Sequence, residues 1–105
     1  MNSISTPQKL LNAISLAKKA GKLAVGYQNV VYQIKKKRVR LVILAIDASE
    51  RTQQRISQLQ HQVSFPMIQV FTKDELSRAV GGANRTCLGI VDANLASLIL
   101  KLNRG

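Results

Sequence analysis

RLVILAI, residues Arg40 to Ile46, is a continuous aliphatic run. Its length and β-branched residues suit a strand covered on both faces, because a half-exposed strand would alternate apolar with polar side chains. A strand of that kind needs a helical layer above it and another below.

The flanking sequence supplies both. TPQKLLNAISLAKKAG predicts a first helix, capped by Thr6, with Pro7 at its first position and Gly21 at its C-terminal turn. Leu10, Leu11, Ile14, Leu16 and Ala17 form its apolar stripe, and Lys18 and Lys19 suit its negative end. KLAV is a brief strand. Gly26 opens a second helix with Val30, Val31 and Ile34 inward. DASERTQQRISQLQHQ predicts a third, capped by Asp47 with Glu50 or by Ser49 alone, and its sparse contacts Ile56 and Leu59 place it on the outside. FPMIQVF reads as a strand with Pro66 at its beginning. In TKDELSRAVGG, Thr72 and Glu75 make a capping box and Gly81–Gly82 end the helix. RTCLGIVD is another strand, and ANLASLILKLN closes the chain as a helix with Leu95, Leu98, Ile99 and Leu102 inward.

Alternation of this kind defines an α/β fold. The expectation is a three-layer α-β-α sandwich, with about five helices covering a small mixed, mostly parallel four-stranded sheet. A length of 105 residues without repeat or linker reads as one domain over 1–105.

Charge narrows the function. Sixteen Lys or Arg face five Asp or Glu, a formal net charge of +11. Residues 1–40 hold nine of the cations and no acid. Self-repulsion at this density costs stability, so the chain calls for a polyanionic partner, and nucleic acid leads. A membrane surface would call for an amphipathic anchor with bulky apolar residues. With four aromatic residues and no Trp, neither that anchor nor a stacking platform for single strands is evident. No apolar run approaches the roughly 18 residues of a membrane span. The start MNSISTPQ lacks a secretory layout, and the lone Cys87 builds no disulfide framework or metal site, so a cytoplasmic location is expected.

No enzymatic machinery is legible. His61, the one histidine, sits at the polar end of a helix. Asp74 and Glu75 are adjacent and point apart; Asp47 and Asp92 stand where helix caps belong. Gly81–Gly82 is not followed by the Lys-Ser/Thr of a phosphate loop. Cys87 lies in a strand with no histidine nearby in sequence. The expectation is no catalytic residue, no metal and no cofactor.

The segment Ala24–Arg40, AVGYQNVVYQIKKKRVR, carries a different chemistry. First-turn N–H groups after Gly26 attract phosphate, and Gln28 and Asn29 have amides that both donate and accept, as a base edge requires. Asn29, Tyr32, Gln33 and Lys36 share a helix face by their spacing. A polar strip thus runs from the helix start to its basic end.

Four segments recur in a familiar order: LLNAISLAKKAGKLAVG, GYQN, KKRVRLVILAIDAS and ELSRAVGGANRTCLGIVD. Over about Lys9 to Leu102 the chain resembles the bacterial, YlxQ-like branch of the L-seven-Ae family of ribosomal and kink-turn RNA-binding proteins. AIDAS resembles the family's Ala-x-Asp-Ala turn, and LSRAVG its Leu-Gly-x-Ala-x-Gly helix. The resemblance implies binding of a sharply bent RNA with a short bulge beside tandem sheared G·A pairs. The contacts it implies are Gly26, Gln28, Asn29 and Tyr32 at the helix start, Ile46 at the turn, and Gly82, Ala83, Asn84 and Arg85 in the loop that closes over the bulge. Lys35, Lys36, Lys37 and Arg38 would neutralise phosphates. The fullest family motif, Gly-x-Asn-Glu-x-x-Lys, here reads Gly26–Tyr27–Gln28–Asn29–Val30–Val31–Tyr32. Asn29 lacks the carboxylate charge, and losing a charged hydrogen bond of about 1.5–3 kcal/mol weakens a standard kink-turn complex about tenfold to a hundredfold.

Three readings follow. The first is a monomeric, ribosome-associated binder of ribosomal RNA or another kink-turn RNA. The second is a protein-interaction or ribosome-assembly module that keeps the fold. The third is a small hydrolase or transferase, for which no residues pair a nucleophile with a base.

Overall fold

The structure, a computed structural model, describes residues 5–104; the ends of the expected 1–105 domain lie outside the described residues. Four strands, Leu23–Val25 (β1), Leu41–Leu44 (β2), Met67–Ile68 (β3) and Cys87–Ile90 (β4), form one sheet in the order β1-β4-β2-β3. The helices between and beyond them are Thr6–Lys19 (α1), Tyr27–Lys35 (α2), Glu50–Gln62 (α3), Lys73–Val80 (α4) and Ala93–Arg104 (α5). The aliphatic run forms β2 as expected. Every residue of β2 and β4 is buried, because these are the two central strands.

The sheet is mixed, but its pairing is not mostly parallel. Only β2 and β3 pair in parallel; β4 runs antiparallel to both neighbours. The helical crossovers do leave β1, β2 and β3 pointing one way. The fourth strand then enters the middle of the sheet in the opposite direction, so one reversed strand makes two antiparallel pairs.

Two helical layers cover the sheet. α1 packs with α4 and α5 on one side, and α2 with α3 on the other. Register aligns Ala24, Gly89 and Val42 in one row. A Cβ on Gly89 would lie 3.6 Å from a Val30 methyl and 3.3 Å from a Val39 methyl, so α2 beds directly onto this thin row. Ile14, Ile34, Ile43, Ile56, Leu76, Leu88 and Ile99 are fully buried. Each such side chain contributes about 1.5–3 kcal/mol on leaving water.

Several local expectations shift. Ser5 rather than Thr6 caps α1, accepting from the Gln8 N–H at 3.3 Å. A cap reaches the N–H three residues on, which places it one residue earlier than expected. The other end of α1 is a Schellman turn at Gly21 (φ 71), with Lys22 N–H donating to the Ala17 carbonyl at 2.9 Å. Leu16 and Leu98 are not inward; they are 55% and 43% exposed. Each lies 100° or more around its helix from the line set by Ile14 and Ala17, or by Ala96 and Ile99. Ser49 caps α3, and Asp92 caps α5 by accepting from Leu95 N–H. Asp47 caps neither α3 nor its own turn. Its carboxylate accepts the first N–H of α4, from Lys73, at 2.8 Å. The Thr72–Glu75 capping box on α4 is present. Of FPMIQVF only Met67–Ile68 pairs, since β3 is an edge strand with β2 as its one partner.

Candidate nucleic-acid interface

Val25 ends β1 opposite Leu88, and Gly26 follows with φ 95 and ψ 150, a backbone shape that L residues rarely adopt. The turn sends the Gly26 N–H to the Cys87 carbonyl at 3.1 Å and presents the Gly26 carbonyl to Val30 N–H at 3.0 Å. The tip of α2 is thereby fixed to the start of β4. Ser5, Ser49, Thr72 and Asp92 give the other four helices a side-chain acceptor; α2 has none. Its first-turn N–H groups keep their partial positive charge for an external anion.

Gln28 and Asn29 in that turn are exposed. Tyr32, one turn on, is also exposed, and Lys36 Nζ stands 5.6 Å from the centre of its ring. Lys35, Lys36, Lys37 and Arg38 are all exposed at the far end of the helix. Nine residues separate the two ends by roughly 13 Å along the axis. Arg38 turns back toward the tip. Its N–H donates to the Gln33 carbonyl at 3.0 Å, with Lys37 at φ 60 as the reversing residue. Arg38, Gln33 and Asn29 then border one groove beside β1.

The sheet brings the remaining sequence-predicted residues to the α2 tip. Ala45 N–H donates to the Thr86 carbonyl at 2.8 Å, so Ile46 adjoins Arg85 just as Gly26 adjoins Cys87. Ile46 is 51% exposed, and its N–H is held by the Phe71 carbonyl at 2.8 Å. Gly82, Ala83 and Asn84 form an exposed loop leading into this rung. Gly81, Gly82 and Asn84 have φ of 85, 88 and 56, which fixes the loop in a left-handed path. Two bonds hold Arg85. Its N–H donates to Ser77 Oγ at 3.0 Å, and its Nε donates to the Gly81 carbonyl at 3.1 Å.

Gly26, Gln28, Asn29, Ile46 and the 82–85 loop therefore meet at one end of the sheet, with Tyr32 and the cations extending along α2. Two contributors were missed. Ser77 is a buried hydroxyl that positions Arg85, and its only sequence signal is a serine on the inner side of an amphipathic helix. Asp47 ties the turn after β2 to α4, and no local pattern announces a partner 26 residues away.

A surface depression of about 670 Å3 runs along α3, with Glu50 and His61 among its lining residues. These two lie eleven positions apart, roughly 16 Å along the helix, too far to share a proton. Burial pushes the Cys87 thiol up to about 12, away from a reactive thiolate. Among the described residues no cluster of three metal-ligating side chains occurs. Nor is any described helix long and apolar enough to cross a membrane.

The profile of the ribosomal protein L7Ae/L30e/S12e/Gadd45 family matches residues 8–100. The chain belongs to this family. It is 32% identical over 98 residues to the RNA-binding protein YlxQ of Enterococcus faecium, covering 93% of this chain and 94% of that one. It is 27% identical over 89 residues to the RNA-binding protein YlxQ of Bacillus subtilis (strain 168), covering 85% and 89%. It is thus a YlxQ-like member of the L7Ae/L30e/S12e/Gadd45 family, a family of binding proteins rather than enzymes. A protein of unknown function from Bacillus halodurans C superposes with a TM-score of 0.86 at 29% identity, over 92% of this chain and 98% of that chain. The Giardia lamblia 15.5kD RNA binding protein superposes at 0.78 with 18% identity, over 99% and 92%, a likeness of fold. The three-layer sandwich is the shared architecture.

Proposed function

We propose that the protein is a non-enzymatic RNA-binding domain, spanning 1–105, that recognises a structured, kink-turn-like RNA through the start of α2 and a basic face. Gln28 and Asn29 carry this reading. They stand exposed on the helix start that lacks a side-chain cap, beside a loop already set in its path by Gly81, Gly82 and Asn84. The name RNA-binding protein borne by the Enterococcus and Bacillus relatives supports the same class of partner here.

On this reading the α2 tip enters the widened groove at the G·A step. The amides of Gln28 and Asn29 meet guanine edges, where donors and acceptors alternate. Ile46 and the 82–85 loop close over the bulge. Tyr32 stands where the family motif has a lysine, yet Lys36 over its ring keeps a cation on that face. Lys35, Lys37 and Arg38 add phosphate contacts, which hold the RNA without reading it. Bent RNA accumulates because the protein binds that form better than the open one. The setting we infer is the cytoplasm, with a monomer acting on ribosomal RNA or another kinked RNA at the ribosome or during its assembly.

The test compares a bulged RNA containing tandem G·A pairs with an unbent duplex of equal length across a range of salt. A kink reader prefers the bulged RNA at every salt concentration. Equal affinity for both, falling together as salt rises, marks a general basic protein and overturns the proposal.

A further inference from the structure

α2 stands between two grooves of nearly equal size. Toward β1, Asn29, Gln33 and Arg38 border a groove of about 340 Å3. Toward α3, Tyr27 shares a groove of about 350 Å3 with Arg51, Gln54, Arg55 and Gln58. Helical spacing accounts for the division. Tyr27, Val31 and Lys35 recur every four residues on one flank, and Asn29 and Gln33 on the other. Gln28 and Tyr32 occupy the crest between them.

The contacts described above leave the α3 groove unused, although its chemistry is specific. Arg51 and Arg55 are exposed and one turn apart, about 5–6 Å between their Cβ atoms. Gln54 and Gln58 are likewise exposed and one turn apart. No carboxylate lines the groove; Glu50, the acid of α3, lines the adjoining depression with His61. A merely solvated helix face gains by placing acids four residues from its cations. Here two like charges take that spacing and repel, a cost that a bound polyanion relieves. Guanidinium forks match phosphate oxygens, and amides suit sugar hydroxyls.

We propose that this groove is a second phosphate track. It takes the backbone of the RNA arm that leaves the α2 tip on the side opposite Asn29 and Gln33, so that the RNA straddles α2. The inference rests on the reading that the α2 tip holds a bent RNA.

The experiment uses the full chain, an Arg51→Gln/Arg55→Gln double variant, and the bulged RNA with two full stems. Two further RNAs each have one stem cut back. Thermal melting of the variant should match the parent, since both arginines are exposed. On the full RNA we expect a loss of roughly tenfold in affinity and a salt slope shallower by about two. Cutting back one stem should abolish the difference between parent and variant; cutting back the other should preserve it. An unchanged affinity and slope would overturn the track and leave the groove to a protein partner. A loss that persists equally with either shortened RNA would also overturn it, because that is the signature of net charge alone. Asn29→Ala, measured in parallel, separates this inference from the proposed function. If Asn29→Ala leaves the preference for bulged RNA intact while the double variant still loses contact with one stem, base reading by Asn29 fails, whereas the bent RNA still straddles α2 and the track stands.

Discussion

The Arg85 guanidinium lies across Gly82 and donates from Nε to the Gly81 carbonyl at 3.1 Å. A Cβ on Gly82 would run into that guanidinium, whereas a Cβ on Gly81 would meet nothing within 4 Å. Both glycines have positive φ, 85 and 88. The pair therefore separates backbone strain from the placement of Arg85.

Gly81→Ala and Gly82→Ala should each cost about 1–3 kcal/mol of stability from the positive-φ backbone alone. Gly82→Ala should in addition displace Arg85 and weaken binding of bulged RNA beyond the effect of Gly81→Ala. Urea unfolding and RNA titration of both variants check this. Equal affinities for the two would remove Arg85 from the closing loop's role.

Lys37 is the reversing residue after α2, at φ 60, a position that favours glycine. Lys37→Gly should raise stability by about 0.5–1 kcal/mol, since it relieves left-handed strain. It should also lower RNA affinity on bent and unbent RNA alike and make the salt slope shallower by about one. Thermal melts and salt titrations on one preparation read both effects.

Burial lifts the Cys87 thiol from its ordinary 9.0 to about 12. The folded state holds this proton where the unfolded state releases it. The stability it contributes is complete below pH 9 and is lost as pH rises toward 12. Urea unfolding of the parent and of Cys87→Ala at pH 7 and pH 11 should show a smaller alkaline loss in the variant. The native thiol should also resist a disulfide reagent at pH 8 until urea unfolds the chain.

These outcomes bear on how much of the molecule its sequence disclosed. The features that were legible are local ones. The aliphatic run became β2, Thr72 and Glu75 formed their capping box, and Gly26 opened α2, because each depends on residues within one turn or one strand. What sequence could not disclose depends on distant partners. Nothing in RTCLGIVD states that β4 enters the middle of the sheet in the reverse sense. Asp47 has the pattern of a cap for its own helix and instead accepts the first N–H of α4, because the parallel pairing of β2 with β3 brings the two strand ends together. Ser5 and Leu98 shift by single positions, where a sequence pattern has the resolution of about one residue. Within the candidate site, the residues at the α2 tip came from local spacing. Their convergence with the 82–85 loop came from the resemblance and is physically due to the Ala45–Thr86 and Gly26–Cys87 hydrogen bonds.

The proposed recognition turns on amide side chains at the α2 tip that read purine edges in a bent RNA. The most direct measurement is the ratio of affinities for bulged G·A RNA and unbent duplex, taken for the parent and for Asn29→Ala at one salt concentration. Asn29→Ala should lower affinity for the bulged RNA by about 1–3 kcal/mol and leave the duplex nearly unchanged, so that the ratio collapses. An unchanged ratio would mean that the α2 tip does not read bases.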